Sequence, residues 1–517
     1  MPLPACFWGT AMLGQGWVQD SRCRESGLDS SVNAFVNDSA ADAFRSAVFG
    51  STTCRSRFGK QSFSAKLPAM KISPASPALF ALAAALGLTG CSTTRPASRT
   101  AESNWPAWRG PLHTGVSPDA QPPVTFGETE NLKWKIKLPG SGTSTPVVWG
   151  GKVFILAAIP TERSAAAPGA AAAGPMAGMV DGPEAKQQFV VLCYDRATGK
   201  ELWRRVVREQ MPIAGHHKDH GYASASPVTD GQVLIAHFNS YGTYGLDLAG
   251  RLLWETDLGD MQTRNDFGEG SSPALDGDTV VILWDHEGAD FIVALHKRTG
   301  KEVWRQLRDE PTGWTTPLIV DHQGRKVVIV NGTNRVRAYE LATGQLLWEC
   351  AGQTANPVPT PVSAEGVVYV TSGFRGSALQ AIQLGRSGEI TAENGLLWMR
   401  KKNTPYVPSP LLLDGLIYLY SGNNATLSII EARTGEAPVD AERLEGIFGV
   451  YASPAAAAGR VYLAGRDGNL WVLQAGPKLE VLARTKFIEG FDASPALVGR
   501  ELFLRGREHL YCLAETK

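Results

Sequence analysis

A hydroxyl residue followed by proline returns eight times along the chain, and no other feature limits the possible folds so tightly. The copies are Thr145-Pro146, Ser226-Pro227, Ser272-Pro273, Thr316-Pro317, Thr360-Pro361, Ser409-Pro410, Ser453-Pro454 and Ser494-Pro495. After a first gap of 81 residues, the prolines lie 41 to 49 residues apart. A steady period near 45 marks a repeat architecture, in which one small supersecondary unit stacks on its neighbours. Within one unit the local signals give four strands. After Ser272-Pro273 come Ala274-Leu275, a turn at Asp276-Gly277, and the β-branched run Thr279–Leu283. A loop leads to Phe291–Leu295, then Thr299-Gly300 turns the chain into a fourth strand beginning Glu302-Val303-Trp304. Aliphatic, β-branched and aromatic runs between Gly and Asp turns read as short strands. Four strands at this period select an all-β, eight-bladed β-propeller over a sandwich.

Tryptophan repeats in register with the turns. Gly199, Gly250, Gly300 and Gly344 are each followed four residues later by Trp203, Trp254, Trp304 and Trp348, and Trp398 holds the same place after a longer loop. A small residue a few positions before most of these turns, such as Cys193, Ala294 or Ala338, leaves room for the ring. The eighth unit stops after its third strand, at His509-Leu-Tyr-Cys-Leu513. The missing fourth strand, with its Trp, stands ahead of the first unit as Leu132-Lys-Trp134-Lys-Ile-Lys-Leu138. That strand is expected to close the ring and so remove exposed edges.

The run Ala294-Leu-His-Lys-Arg-Thr-Gly300-Lys-Glu-Val-Trp304 resembles the tryptophan-docking repeat of quinoprotein propellers. From about residue 131 to 517 the chain resembles the PQQ-binding-like β-propeller repeat family. That family contains pyrroloquinoline-quinone dehydrogenases and a lipid-anchored subunit of the outer-membrane barrel-assembly machinery. The resemblance implies the fold. It leaves function divided between catalysis and scaffolding, because one fold hosts many activities.

The N-terminus reads differently. Residues 1–69 show no sustained apolar period and are expected to be an extension upstream of the true start. Residues 70–90 hold Met70-Lys71, the apolar run Ala78–Leu88, and Thr89-Gly90. A basic residue, a short apolar core and a small-residue site read as a secretory signal. The run is too short to span a bilayer, which takes about 20 apolar residues. Leu88-Thr-Gly-Cys91 resembles a bacterial lipobox, which makes Cys91 the expected lipidated first residue of the mature protein. Residues 91–103 read as a polar tether and 104–130, with Trp105-Pro-Ala-Trp108-Arg-Gly-Pro111, as an extended strap on the body. Ser92 is not the aspartate that retains some lipoproteins at the inner membrane, so the outer membrane is the expected home.

Composition narrows the partners. Formal net charge is zero and no long basic run occurs, so nothing calls for nucleic acid. Past Cys91 only Cys193, Cys350 and Cys512 remain, an odd number without metal-ligand spacing, and three free thiols are expected.

Strand order places the loops before each Ser/Thr-Pro and the loops between second and third strands on one rim. An Ala/Gly/Pro-rich insertion is expected there at about 159–188. The same rim gathers His216, His217, Asp219, His220, Asp266, Glu269, Asp285, His286 and Glu287, with Trp314 at the mouth of blade 4. Such residues suit a cation or polar ligand, and Trp314 could stack on a planar one. Equally, solvated loops capping the channel give the same list.

Two functions follow. In one the chain is a monomeric, non-catalytic propeller, lipid-anchored in the cell envelope, binding other envelope proteins and taking part in outer-membrane protein assembly. In the other it is a quinone-dependent dehydrogenase holding PQQ with calcium. The vicinal cysteine pair found in many such alcohol dehydrogenases is absent, which favours the scaffold.

Overall fold

The computed structural model describes residues 103–163, 177–422 and 425–515. The expected extension, signal, lipidation site Cys91 and tether up to residue 102 lie outside the described residues. The rest is an eight-bladed β-propeller. Eight sheets each contain four antiparallel strands in simple up-and-down order. Blade 3 runs Ala274–Asp276, Thr279–Trp284, Phe291–His296 and Glu302–Leu307, within one or two residues of the sequence expectation. In blade 8 the strands Ala496–Val498, Glu501–Arg505 and His509–Ala514 are completed by Leu132–Lys137, with Trp134 opposite Cys512. Two short strands add to this plan. Val116–Ser117 pairs in parallel with the inner strand of blade 7, and Gly388–Glu389 with the outer strand of blade 4.

The Ser/Thr-Pro repeat forms a belt around the hub. The Thr145 amide donates to the Ser226 hydroxyl at 2.9 Å, Ser226 to Ser272 at 2.9 Å, and Ser272 to Thr316 at 3.1 Å. Thr360 donates to Ser409, Ser409 to Ser453, and Ser453 to Ser494, at 2.9–3.0 Å. Ser494 returns to Thr145 at 3.2 Å. Between blades 4 and 5 the link is made the other way, the Thr360 hydroxyl donating to the Thr316 carbonyl. Proline has no amide of its own to compete, and the hydroxyl takes up a buried N–H that would otherwise go unpaired.

The tryptophans tie the outer strands. Each stands opposite a small residue of its own blade, as in Ala294–Trp304 and Cys193–Trp203. Five of the six, all but Trp348, also reach forward through the indole N–H. The Nε1–H groups of Trp134, Trp203, Trp254, Trp304 and Trp398 donate to carbonyls of the next blade, at Arg196, Leu248, Lys297, Leu341 and Ala432, over 2.7–3.3 Å. The turn glycine of that next blade lies flat on the ring. A Cβ on Gly300 would come within 2.5 Å of the Trp254 ring, and its φ of +67° already disfavours any other residue. The buried core accordingly divides into clusters that lie between sheets, such as Val281, Ile292 and Trp304 of blade 3 against Val328 and Tyr339 of blade 4.

Blade 1 differs from the sequence expectation. Its middle strands run on through the stretch read as an insertion, as Lys152–Arg163 and Ala185–Asp195, and residues 164–176 lie outside the described part. A paired hairpin buries its backbone groups better than a loose loop, which explains the extension.

The strap also departs from expectation. It enters the axial channel and plugs it. Trp105 bridges Val148 of blade 1, and the Pro106 carbonyl accepts from Thr229 of blade 2. Trp108 donates to Ser494 of blade 8 at 3.2 Å, while the Gly115 carbonyl accepts from Ala456 of blade 7.

Candidate functional site

The rim opposite the plug carries the sequence-selected residues. Its main feature is a loop, residues 211–225, that leaves the outer strand of blade 1 and crosses the channel mouth before entering blade 2. His216–His217 pairs with Val180–Asp181 in a two-stranded ribbon, so the stretch 177–181 and the loop hold each other over the mouth. The Lys218 amide donates to the Met179 carbonyl at 2.9 Å, and His217 to Phe267 at 3.0 Å.

The histidines and Asp219 of this loop are engaged by protein groups. The His216 ring meets Tyr222 edge-on, with centroids 4.6 Å apart, and His217 meets Phe267 likewise at 5.1 Å. The His217 Nδ1 accepts from the Asp219 amide at 3.2 Å. His220 lies 2.9 Å from the Gly221 carbonyl through Nδ1, and burial pulls its pKa down to about 4, so it is neutral at pH 7. Asp219 crosses to blade 7, where Arg466 grips it at 3.0 and 3.1 Å. Arg466 also pairs with Asp492 at 2.7 Å and lies 4.0 Å from the Tyr451 ring centroid.

The blade 2 and 3 residues are spread among separate contacts. Glu269 accepts from the Ser240 amide at 2.9 Å and from its hydroxyl, in a small cavity beneath the loop beside Tyr222, Asn239, Tyr241 and Thr263. Burial pushes the Glu269 carboxyl up to about 7. Asp285 is fully buried and held by Arg308 through two bonds, at 2.6 and 3.0 Å. His286 Nδ1 accepts from the Gln262 amide at 3.0 Å, and Glu287 pairs with Arg264 at 3.1 Å. The Trp314 indole donates to the Gly268 carbonyl at 2.8 Å. Asp266 sits in a short turn, exposed.

A calcium ion takes six to eight oxygens. Here both Asp285 oxygens are committed to Arg308 and Glu269 is bonded to Ser240. Among the described residues, no three His, Cys, Asp or Glu side chains gather closely enough to hold a metal ion. As arranged, the rim residues do not fit a quinone–calcium pair. Sequence reasoning missed Arg308, Arg337 and Arg466, which satisfy the buried acids. The signal was available, since a buried carboxylate needs a cation or several donors.

The profile of the family described as outer membrane protein assembly factor BamB matches residues 124–288 and 289–517. The chain belongs to that family. Its propeller is also similar to solved structures. BamB from Moraxella catarrhalis superposes with a TM-score of 0.50 at 14% identity, covering 74% of this chain and 99% of that one. Quinohemoprotein alcohol dehydrogenase from Comamonas testosteroni gives 0.53 at 12% identity, covering 80% and 81%. At such identities the likeness extends to the fold alone, and BamB members and dehydrogenases share it. A stretch of 116 residues is 28% identical to tetrathionate hydrolase from Acidianus ambivalens, covering 20% of this chain and 22% of the hydrolase. The chain thus matches about a fifth of that relative's length.

Proposed function

We propose that this BamB-family propeller is a non-catalytic scaffold of the cell envelope, anchored by lipid on Cys91 and binding other envelope proteins during outer-membrane protein assembly. One observation carries the reading beyond family membership. The rim acids that could serve a cofactor are spent in holding the rim rigid, Asp285 by Arg308 and Asp219 by Arg466. A rigid scaffold with loops presented on one face suits recognition better than turnover. The same rim exposes apolar side chains, Phe448 at 66% and Ile488 at 79%, on either side of the Arg466–Gly468 hairpin tip.

Two measurements test this. Cells lacking the chain should carry fewer β-barrel proteins in the outer membrane, with restoration by the native chain and not by Cys91→Ser. The purified protein with PQQ and calcium should show no alcohol- or sugar-dependent dye reduction and no shift in unfolding midpoint. A ligand at 100 times its Kd would add about 2.7 kcal/mol to the folded state and would be seen. Dye reduction with turnover would overturn the scaffold reading in favour of a dehydrogenase.

A further inference from the structure

The plug carries a charge that the rest of the hub leaves without a counter-charge. Arg109 is 2% exposed. Its Nη1 donates to the Pro454 carbonyl at 3.0 Å, and its Nη2 to Pro410 at 2.9 Å and Thr114 at 3.4 Å. All three acceptors are neutral backbone oxygens. The Nε–H is buried with no partner, and Arg109 forms no ion pair among the described residues. Burial alone, unopposed by any acid, pulls the guanidinium down to about 9. Arg308, Arg337 and Arg466 each meet carboxylates. Arg505 is also held by carbonyls, from Ser144 and Leu156. The difference at Arg109 is an adjoining cavity.

That cavity lies between the plug and the inner strands of blades 3 to 5, with Trp108, Arg109 and His113 on one wall and Ala274, Thr316 and Leu318 on the other. It holds about 20 Å³, room for one or two water-sized particles. Phosphate, sulfate and organic acids are too large. Its charged neighbours are few. The acid acting on His113 is Asp276, already paired with Lys326 at 2.9 Å, and burial lowers the His113 pKa. Thr316 and Thr360 add hydroxyl groups to the wall, and no acidic side chain lines it to repel an anion. A buried cation that lacks a counter-charge, keeps a spare donor and lines a small cavity is the arrangement an anion completes.

We propose that the hub cavity binds one small monovalent anion of halide size, held by Arg109 and flanked by His113. The ion neutralises the plug's buried charge and so fastens the strap into the axis. The site is independent of what the rim binds.

The test uses the full chain, exchanged into gluconate and titrated with bromide at constant ionic strength. The unfolding midpoint should rise saturably, by about 3 °C, and gluconate should leave it unmoved. Arg109→Met should abolish the rise, and His113→Ala should weaken apparent bromide affinity about tenfold. Crystals of the native chain grown in bromide should show an anomalous peak beside the Arg109 Nε, a readout that does not depend on any variant folding. Equal midpoints in bromide and gluconate, or no peak, overturn the proposal. A peak without saturable stabilisation marks an adventitious ion only and overturns it too.

Discussion

Asp219, on the loop between blades 1 and 2, and Arg466, on blade 7, are separated by blade 8, yet the carboxylate and guanidinium meet through two contacts of 3.0 and 3.1 Å. The pair pins the loop that crosses the mouth. Arg466 holds the Asp219 carboxyl below the usual carboxylate range, chiefly by hydrogen bonding to its charged form. Its contribution is therefore complete above pH 4 and is lost as the pH falls through the lowered value. Both groups are partly exposed, so Asp219→Asn should cost only about 1 kcal/mol of global stability. The sharper readout is local. Amide protection factors at 214–222, referred to the intrinsic rate at each pH, should fall several-fold in Asp219→Asn at pH 7, and in the native chain below pH 4.

Glu269 responds in the opposite direction. Its carboxyl is raised by burial to about 7, so its protonated form is the one the fold favours. Stability from this group is complete below the unfolded value near 4.3 and declines as the pH rises toward 7. Between pH 5 and pH 8 the native midpoint should fall more than that of Glu269→Gln. Parallel curves for the two proteins would show that Glu269 does not titrate in this window.

The forward docking of tryptophan gives a paired comparison. Gly300 and Gly277 both adopt positive φ, +67° and +57°. Only Gly300 lies against a ring, that of Trp254, whereas nothing lies within 4 Å of a Cβ on Gly277. Gly277→Ala should cost about 1 kcal/mol from the left-handed backbone alone. Gly300→Ala should add about 1–3 kcal/mol of overpacking. Equal denaturation midpoints would remove the docking contact from the account of stability.

The buried pair Asp285–Arg308 is expected to punish one-sided change. Asp285→Asn leaves Arg308 buried without its acid and should cost about 3–5 kcal/mol. Replacing both with apolar residues should cost less than that single change, as a double-mutant cycle would show.

The three described thiols, Cys193, Cys350 and Cys512, are free and buried, and burial raises Cys350 to about 11 and Cys193 to about 12. Peptides containing them should resist a thiol reagent in the folded protein and react fully once it is denatured, without a reductant.

The fold was legible because it repeats. The Ser/Thr-Pro spacing, the turn glycines and the displaced Trp134 strand gave blade number, strand order and ring closure. Contacts between repeats were less legible. Nothing in Ala294-Leu-His-Lys-Arg-Thr-Gly300 says that Gly300 serves the tryptophan of the preceding blade, because the pairing crosses the period. The rim list was readable as residue types, but their partners were not. Arg308 and Arg466 lie 23 residues from Asp285 and 247 from Asp219, and only the closed ring brings the second pair together. The plug was read as surface because Trp and Pro suit an extended run on either surface or axis.

Ring closure has a consequence for how the molecule is made. The strand that finishes blade 8 comes from Leu132–Lys137, and its partner His509–Ala514 lies at the other end of the chain. The hydroxyl belt closes between the same ends, from Ser494 back to Thr145. Individual blades are local hairpins and can form in microseconds, but this last pairing must close a loop of nearly the whole propeller. Such distant contacts slow folding and leave strand edges open to other chains meanwhile. The propeller therefore stays an open arc until the His509–Ala514 strand has been made. Its most vulnerable interval is set by the arrival of that strand, whatever the stability of the finished ring.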